Sequence, residues 1–443
     1  PELVTEATGL PATAAGVDAA LAGLHQYGLL HTPGDGGPGG GVPPVNQLQL
    51  HPLVREVTAH TLARPEPTNA WLAAIDDHLA RAVEATTSMP GRTGWPTARL
   101  LAPHLPPHLD RNTRHDFSRV RNTLDDLAHA LADAGASYEE LLLRRRVLDA
   151  ETDHLGPDHP DTLASRQNLA NALHELGEHR QAADLHRETL ADRERILGPD
   201  HPDTLSSGNN LANALSDLGE HQQAADLHRQ TLSDSERILG SDHPDTLTTR
   251  NNLAVALNDL GELRHAADLY RETLADRERI LGPDHPDTLT TRNNLATALH
   301  DLGEHRQAAD LHRGTLADRE RILGPDHPNT LTTRGNLAVA LNRLGEHRHA
   351  ADLHREILAD RERILGPDHP DTLTTRNNLA VVLSDLGEHR QAADLHRETL
   401  ADRERILGPD HPNTLTTRNN LAVAQARLAE VGRRRWWQLP RRS

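Results

Sequence analysis

Histidine has the widest chemical reach in this sequence, with 31 copies and no cysteine beside them. His174-Glu175 with His179 suggests a zinc-binding helix, but metal binding of that kind needs two His one turn apart on one face. Here the step is five residues, and Gly177 ends the helix between them. A second set, His159, His201, His243, His285, His327, His369 and His411, recurs once every 42 residues, so its members stand a whole unit apart and cannot cluster round an ion. Their expected role is to order the turn ahead of a helix. A third set, His186, His228, His312, His354 and His396, has Tyr270 at the equivalent place, an exchange that a ring-sized packing slot tolerates and a ligand position does not. Without cysteine there is no disulfide and no thiol catalysis. Without lysine, and with no GxxxxGK(S/T), there is no phosphate-binding loop. Asp and Glu are spread evenly with no pair set apart, so no catalytic, cofactor or metal site is expected and the chain is read as no enzyme.

Carboxamides are the remaining candidates. Asn168, Asn210, Asn252, Asn294, Asn336, Asn378 and Asn420 occur in every copy of the unit, and Asn209, Asn251, Asn293, Asn377 and Asn419 precede five of them. A carboxamide both donates and accepts, so a ladder of them can bond the backbone of an extended peptide with little demand on its sequence. The five preceding asparagines are assigned to that binding. The seven-copy set is assigned to ties between adjacent repeats, with a groove role as its alternative.

The elements that position these residues follow from the period. LG(P/S)DHP opens at Leu155, Leu197, Leu239, Leu281, Leu323, Leu365 and Leu407 with no insertion between copies, which marks a repeat architecture. In the unit Leu281 to Ile322, the positions Leu289, Leu295, Ala296, Leu299 and Leu302 have helical spacing and define helix A. Ala308, Leu311, His312, Leu316 and Ile322 define helix B after the turn at Gly303-Glu304, so the two pack as an antiparallel hairpin. Pro286 presets φ at the start, Asp287 suits the helix dipole, and Gly324-Pro325 ends helix B.

Leu295-Ala296, Leu299, Ala308 and His312 resemble the tetratricopeptide pattern, and the DHPDT opening with the NNLA core resembles the longer repeats of kinesin light chains and their bacterial relatives. Arg292 departs from the family by standing where a tryptophan is usual, and the unit exceeds the usual length of about 34 residues. The resemblance implies an all-α, right-handed superhelical solenoid of helical hairpins, working as a protein-binding scaffold with the A helices on its concave side. In kinesin light chains concave asparagines contact cargo peptides, which carries a groove role to the Asn positions above. Asp217, Asp259, Asp301 and Asp385 lie near the ends of A helices where chaperone-tail clamps place cations, so the expected partner is a neutral or basic peptide segment.

The organisation read from the sequence is a partial winged-helix-like region (1–64), a helical linker (65–112), a degenerate first repeat (113–154), six full repeats and one half (155–431), and a basic tail with Trp436 and Trp437 (432–443). VDAALAGLHQYGLLHT followed by LQLHPLVREVTAHTL, with helices over Val17–Gln26 and Pro52–Ala63 and strands over Gly28–Thr32 and Val45–Leu50, resembles the winged-helix part of the signal-transduction ATPases with numerous domains. That resemblance implies the sensing arm of a bacterial signalling ATPase of the NB-ARC-like kind, cut off here from its nucleotide-binding part. The alternative is a winged-helix transcriptional regulator with a repeat-based sensor. Only Arg55 and Arg64 face Glu2, Glu6, Asp18, Asp35 and Glu56 in residues 1–64, and the net charge is −18, so nucleic acid is not the expected partner. No apolar run approaches a membrane span, and a soluble cytoplasmic chain without cofactors is expected. The last helix A leaves Leu415, Leu421, Ala422 and Leu428 uncovered, so the tail is expected to fold back over them, or two chains to meet there. This chain alone should neither bind nor hydrolyse ATP, and micromolar binding in a calorimetric titration refutes that reading.

Overall fold

A computed structural model describes residues 30–31, 49–50, 68–89, 94–102, 117–133 and 136–437. The sequence-predicted helices over 17–26 and 52–63 and the end of the tail lie outside these residues. Two short strands, β1 (Leu30–His31) and β2 (Gln49–Leu50), pair antiparallel with Leu30 opposite Leu50 and His31 opposite Gln49. Everything else described with regular structure is helical, and the chain divides into two compact units, one up to Asp192 and the other from Arg193.

In the first unit, α1 (Thr68–Thr87), α2 (Trp95–Leu101), α3 (Phe117–Asp133) and α4 (Ser137–Leu155) share a core that includes Val83, Ala98, Leu124, Leu127, Leu131 and Val147. Next, α4 packs on α5 (Pro160–Glu175) through Leu141, Leu169 and Leu173. Helix α6 spans His179–Leu197.

The second unit is a run of hairpins, each an A helix followed by a B helix: α7 (Pro202–Asp217) and α8 (His221–Ile238), α9 (Pro244–Asp259) and α10 (Leu263–Ile280), α11 (Pro286–Asp301) and α12 (His305–Leu323), α13 (Pro328–Arg343) and α14 (His347–Leu365), α15 (Pro370–Asp385) and α16 (His389–Ile406). A final A helix, α17 (Pro412–Trp437), closes the series. Each B helix packs against both its own A helix and the next one, and successive A helices also touch, so the A helices form the inner row of the stack.

Local chemistry sets the hairpin ends. In α11, His285 is the N-cap: its backbone is extended, and its Nδ1 accepts the N–H of Asp287 at 3.2 Å while Pro286 occupies the first helical position. The DHP histidines thus perform the capping usually given to Ser, Thr, Asp or Asn, which requires an unprotonated Nδ1. At the A–B turn Gly303 takes φ +86°, and the Gly303 and Glu304 N–H groups donate to the carbonyls of His300 and Leu299. That left-handed position is strained for any residue with a Cβ, which is why glycine recurs there.

Burial departs from the expected apolar seam on helix B. In α12, Ala308 and His312 are buried as read from the sequence, but Ile322 is exposed, and the remaining buried positions are Ala309 and the polar Thr315 and Arg319. Arg319 reaches forward: one of its nitrogens donates to the Asn329 carbonyl at 3.0 Å and to Thr333 Oγ1 at 2.7 Å, both in the next A helix. Its other terminal nitrogen donates to Thr290 Oγ1 of its own A helix at 3.2 Å. Arg277 and Arg403 repeat the full pattern, and Arg193 and Arg361 its forward half.

The family's tryptophan slot holds a second arginine with a different task. Arg292 bonds Asp318 of its own B helix at 2.8 Å and Glu278 of the preceding one at 3.1 Å, and Asp318 in turn accepts from Arg321, which reaches Asp284. The unit gives up an indole and gains an inter-repeat ionic link.

The tail departs from expectation as well. Helix α17 runs unbroken through Gly432 to Trp437, so over residues 432–437 the chain does not turn back over the last seam. Leu415 and Val423 remain 41% and 51% exposed. A glycine within a helix costs only about 1 kcal/mol, too little to stop an established one.

Because the Arg319 fork spans three acceptors on two helices, Arg319→Ala should destabilise the array by about 1–3 kcal/mol. Arg319→Lys should recover only part of that, since one ammonium cannot reach both helices. Urea midpoints of the full chain check both.

Candidate functional site

The face of the A helices left open by packing is a stripe with steps of four, three and four residues, one side of a helix. On α7 it is Ser206, Asn210, Asn213 and Asp217, and on α9 Thr248, Asn252, Val255 and Asp259, with Asn210 and Asn252 half-buried and the other residues exposed. Thr290, Asn294, Thr297 and Asp301 continue it on α11. Each helix therefore presents a hydroxyl, a carboxamide, a variable residue and, on most helices, a carboxylate. The acids are braced from behind: Asp259 accepts from Ser216, Asp301 from Asn258 and Asp385 from Asn342, each donor lying one repeat earlier.

The asparagine pairs divide between two surroundings. Asn251, Asn293 and Asn377, expected in the groove, are buried, and their Oδ1 atoms accept from the next repeat: Asn251 from Thr291 at 3.2 Å, Asn293 from Thr333 and Asn336 at 3.4 Å, and Asn377 from Asn420 at 3.3 Å. Little of these groups is left to meet a ligand, so their placement counts against the groove role. Asn209 is half-buried and bonded on both sides, its Nδ2 donating to Thr249 Oγ1 at 2.6 Å and its Oδ1 lying 3.2 Å from His228 Nδ1. Asn419, on the final A helix, is exposed.

Half-buried Asn210, Asn252, Asn294 and Asn378 lie on the open stripe, while Asn336 and Asn420, at the same position, donate back to Asn293 and Asn377 and make the tie between repeats expected of the seven-copy set. Neighbours in a helix differ by roughly 100° in direction, so the two members of a pair face different surroundings. In the first unit Asn168 lines a cavity of about 360 Å³ with His129, Glu140, Arg144 and Glu175. There Arg144 bonds both Asp125 and Glu140, and burial nonetheless raises both carboxyls above their ordinary range.

Among the described residues no group of three or more His, Asp or Glu is arranged to hold a metal ion. His174 and His179 lie against each other, with Nδ1 atoms 3.3 Å apart. No described helix is long and apolar enough to cross a membrane.

Six consecutive segments, 162–203, 204–245, 246–287, 288–329, 330–371 and 372–413, match the family model described as Tetratricopeptide repeat, together more than half of the chain. Among solved structures, the chain is similar to a Podosopora anserina protein described as a kinesin light chain with nearly identical TPR-like repeats, at 28% identity over 46% of this chain and 97% of that one, TM-score 0.41. It is also similar to BtubC from P. vanneervenii, at 21% identity over 53% and 91%, TM-score 0.41, and to the quorum sensor NprR from B. thuringiensis, at 12% identity over 79% and 92%, TM-score 0.52. No curated relative matches it.

The helix B histidines are packing groups. Burial lowers His312 from its ordinary value of 6.5 to about 4, helped by the nearby His300 and Arg319, and His354 likewise, helped by Arg361. A group whose folded pKa is depressed this way, being a base, binds more protons when unfolded between pH 6.5 and 4. Stability should therefore be full above pH 6.5 and fall progressively toward pH 4. Replacing His312 and His354 by Tyr, the residue nature places at 270, should flatten that slope in melting temperatures measured across the same window.

Proposed function

The chain belongs to the tetratricopeptide repeat family, and from that premise we propose that its A helices bind an extended, neutral or basic segment of a partner protein, making the chain an interaction scaffold. The carrying observation is the open stripe. Its carboxamide recurs at one period on successive helices beside hydroxyls that accept from arginines and carboxylates braced by the preceding repeat, whereas the buried asparagines Asn251, Asn293 and Asn377 are engaged between repeats. Carboxamides at regular intervals suit a peptide backbone, which offers a donor and an acceptor at every residue. The carboxylates near the ends of α9, α11 and α15 favour a segment without acidic side chains.

A finer reading, the sensing arm of a signalling ATPase, rests on the resemblance of residues 17–62, and the antiparallel β1–β2 pair supports it. The winged-helix regulator is disfavoured by the two arginines of residues 1–64 set against five acidic groups. A phosphate-binding loop encoded upstream of Pro1 selects the first, and a methionine start with a basic helix selects the second.

The two asparagine sets separate binding from folding. Replacing Asn252, Asn294 and Asn378 with Ala removes three hydrogen bonds to the ligand, each contributing about 0.5–1.5 kcal/mol, so affinity for peptides selected on the intact chain should fall by about one to three orders of magnitude. Melting temperature should change little. The triple Ala variant of Asn251, Asn293 and Asn377 should instead melt earlier. Unchanged affinity in the first variant places binding on another surface.

A further inference from the structure

We propose that the junction at Ser235 is a receptor for a guanidinium group, supplied by an arginine side chain of the bound segment; the inference rests on the A-helix face being the binding face. Ser235 stands at the position that Arg193, Arg277, Arg319, Arg361 and Arg403 occupy in the other B helices. Around Arg277 the acceptors are the Asp287 carbonyl at 3.0 Å, Thr291 Oγ1 at 2.8 Å and Thr248 Oγ1 at 3.0 Å. The same three places around Ser235 are the Asp245 carbonyl, Thr249 Oγ1 and Ser206 Oγ, so the acceptor set is kept and the donor is gone.

What the missing side chain leaves is a cavity of about 230 Å³ whose lining includes Leu205 and Leu239, apolar surface suited to an alkyl stem, and the polar Ser206, Ser235 and Asp245. Exposed Ser206 and Asn213 also line it, so it opens on the A-helix face. Its volume exceeds several times the roughly 30 Å³ that one water takes up in the liquid, leaving room for a planar cation as well as water.

Asn209 records the loss of the donor. In the arginine-filled junctions, Thr291 and Thr333 receive the arginine N–H and donate to the Oδ1 of Asn251 and Asn293. At Ser235 the carboxamide is turned over, and Asn209 Nδ2 supplies the hydrogen bond to Thr249 instead. A guanidinium entering the cavity would return Asn209 to the orientation of its counterparts.

One cation approaches the site: Arg277 bonds Thr248, which lines the far wall. That approach does not exclude a second guanidinium. Arg319 bonds Thr290 at the corresponding place beside Arg277, so the ladder already carries arginines at this spacing. Lysine fits the site poorly, because a single ammonium cannot address a backbone carbonyl and hydroxyls on two helices at once.

The test titrates the full chain with N-acetyl-arginine amide, with the equally capped lysine and citrulline, and with free arginine, by calorimetry and by following the Asn209 side-chain amide in NMR spectra. The capped arginine should bind one site and shift the Asn209 amide, with lysine and citrulline weaker by about tenfold or more. Ser235→Arg supplies the group from within: it should raise the melting temperature toward that of an uninterrupted ladder and weaken the capped arginine by at least about tenfold. Ser235→Met, which fills the cavity without charge, should weaken it equally and serves if the arginine variant fails to fold. Equal binding by wild type and both cavity-filling variants, equal binding of citrulline, or water alone in the cavity overturns the proposal, and a site taken only by free arginine overturns its peptide source. If the probe fails while the Asn252, Asn294 and Asn378 variant still loses its peptides, only this inference falls. If the probe binds and that variant loses nothing, the peptide-binding reading falls instead.

Discussion

The stack depends on the arginine that every B helix but α8 extends into the next A helix. Arg277, for example, is only 3% exposed, and its guanidinium bonds a backbone carbonyl and hydroxyls on two helices. Burial alone would make such a charge costly, and it lowers the affinity of Arg277 and Arg319 for their protons. The cost is offset because the fork meets a carbonyl at the start of the following helix, where the His cap and Pro hold the backbone still. A B helix without its successor would lose the carbonyl and hydroxyl of the next helix and keep only the threonine of its own hairpin, so neighbouring repeats stabilise each other.

This requirement also bears on the cation content. The guanidinium's several donors in a fixed plane can join two helices, whereas a lysine offers one flexible point charge. The same applies to Arg292, which bonds one carboxylate in its own hairpin and another in the preceding one. Exposed pairs such as Arg321 with Asp284 add little individually, but here each shares Asp318 or its equivalent with a better-buried arginine. A chain with 47 Lys and Arg residues that are all arginine is consistent with a structure in which charge serves as connection more than as solubility.

Inter-repeat bonding then decides what remains for a partner. Where present, the Arg, buried Thr and first Asn of a repeat are engaged with the next, and the stripe hydroxyls of Thr248, Thr290 and Thr374 accept from arginines, which leaves chiefly the half-buried carboxamides and the exposed acids of the open stripe. Near-identical units would offer the proposed ligand a ladder with little register, set only by the variable third position and by Arg343 in place of an acid. The Ser235 junction breaks that degeneracy, since it alone among these positions keeps the acceptors and lacks the arginine.

Much of this was legible in the sequence. The 42-residue period, the helical spacing of Leu289, Leu295 and Leu299, the glycine after each A helix and the solitary DHP histidines determine a run of capped hairpins, because each depends on contacts within a few residues. The role of Arg319 was not legible, since its acceptors at Asn329 and Thr333 come within reach only when the next helix docks. The asparagines show the limit most clearly. Copy number assigned Asn252 to the tie between repeats and Asn251 to the groove, yet one residue of helix turns a side chain by roughly 100°, and a sequence does not say where that helix's neighbour lies. Tertiary packing made that choice by setting Thr291 against Asn251 and leaving Asn252 on the open face.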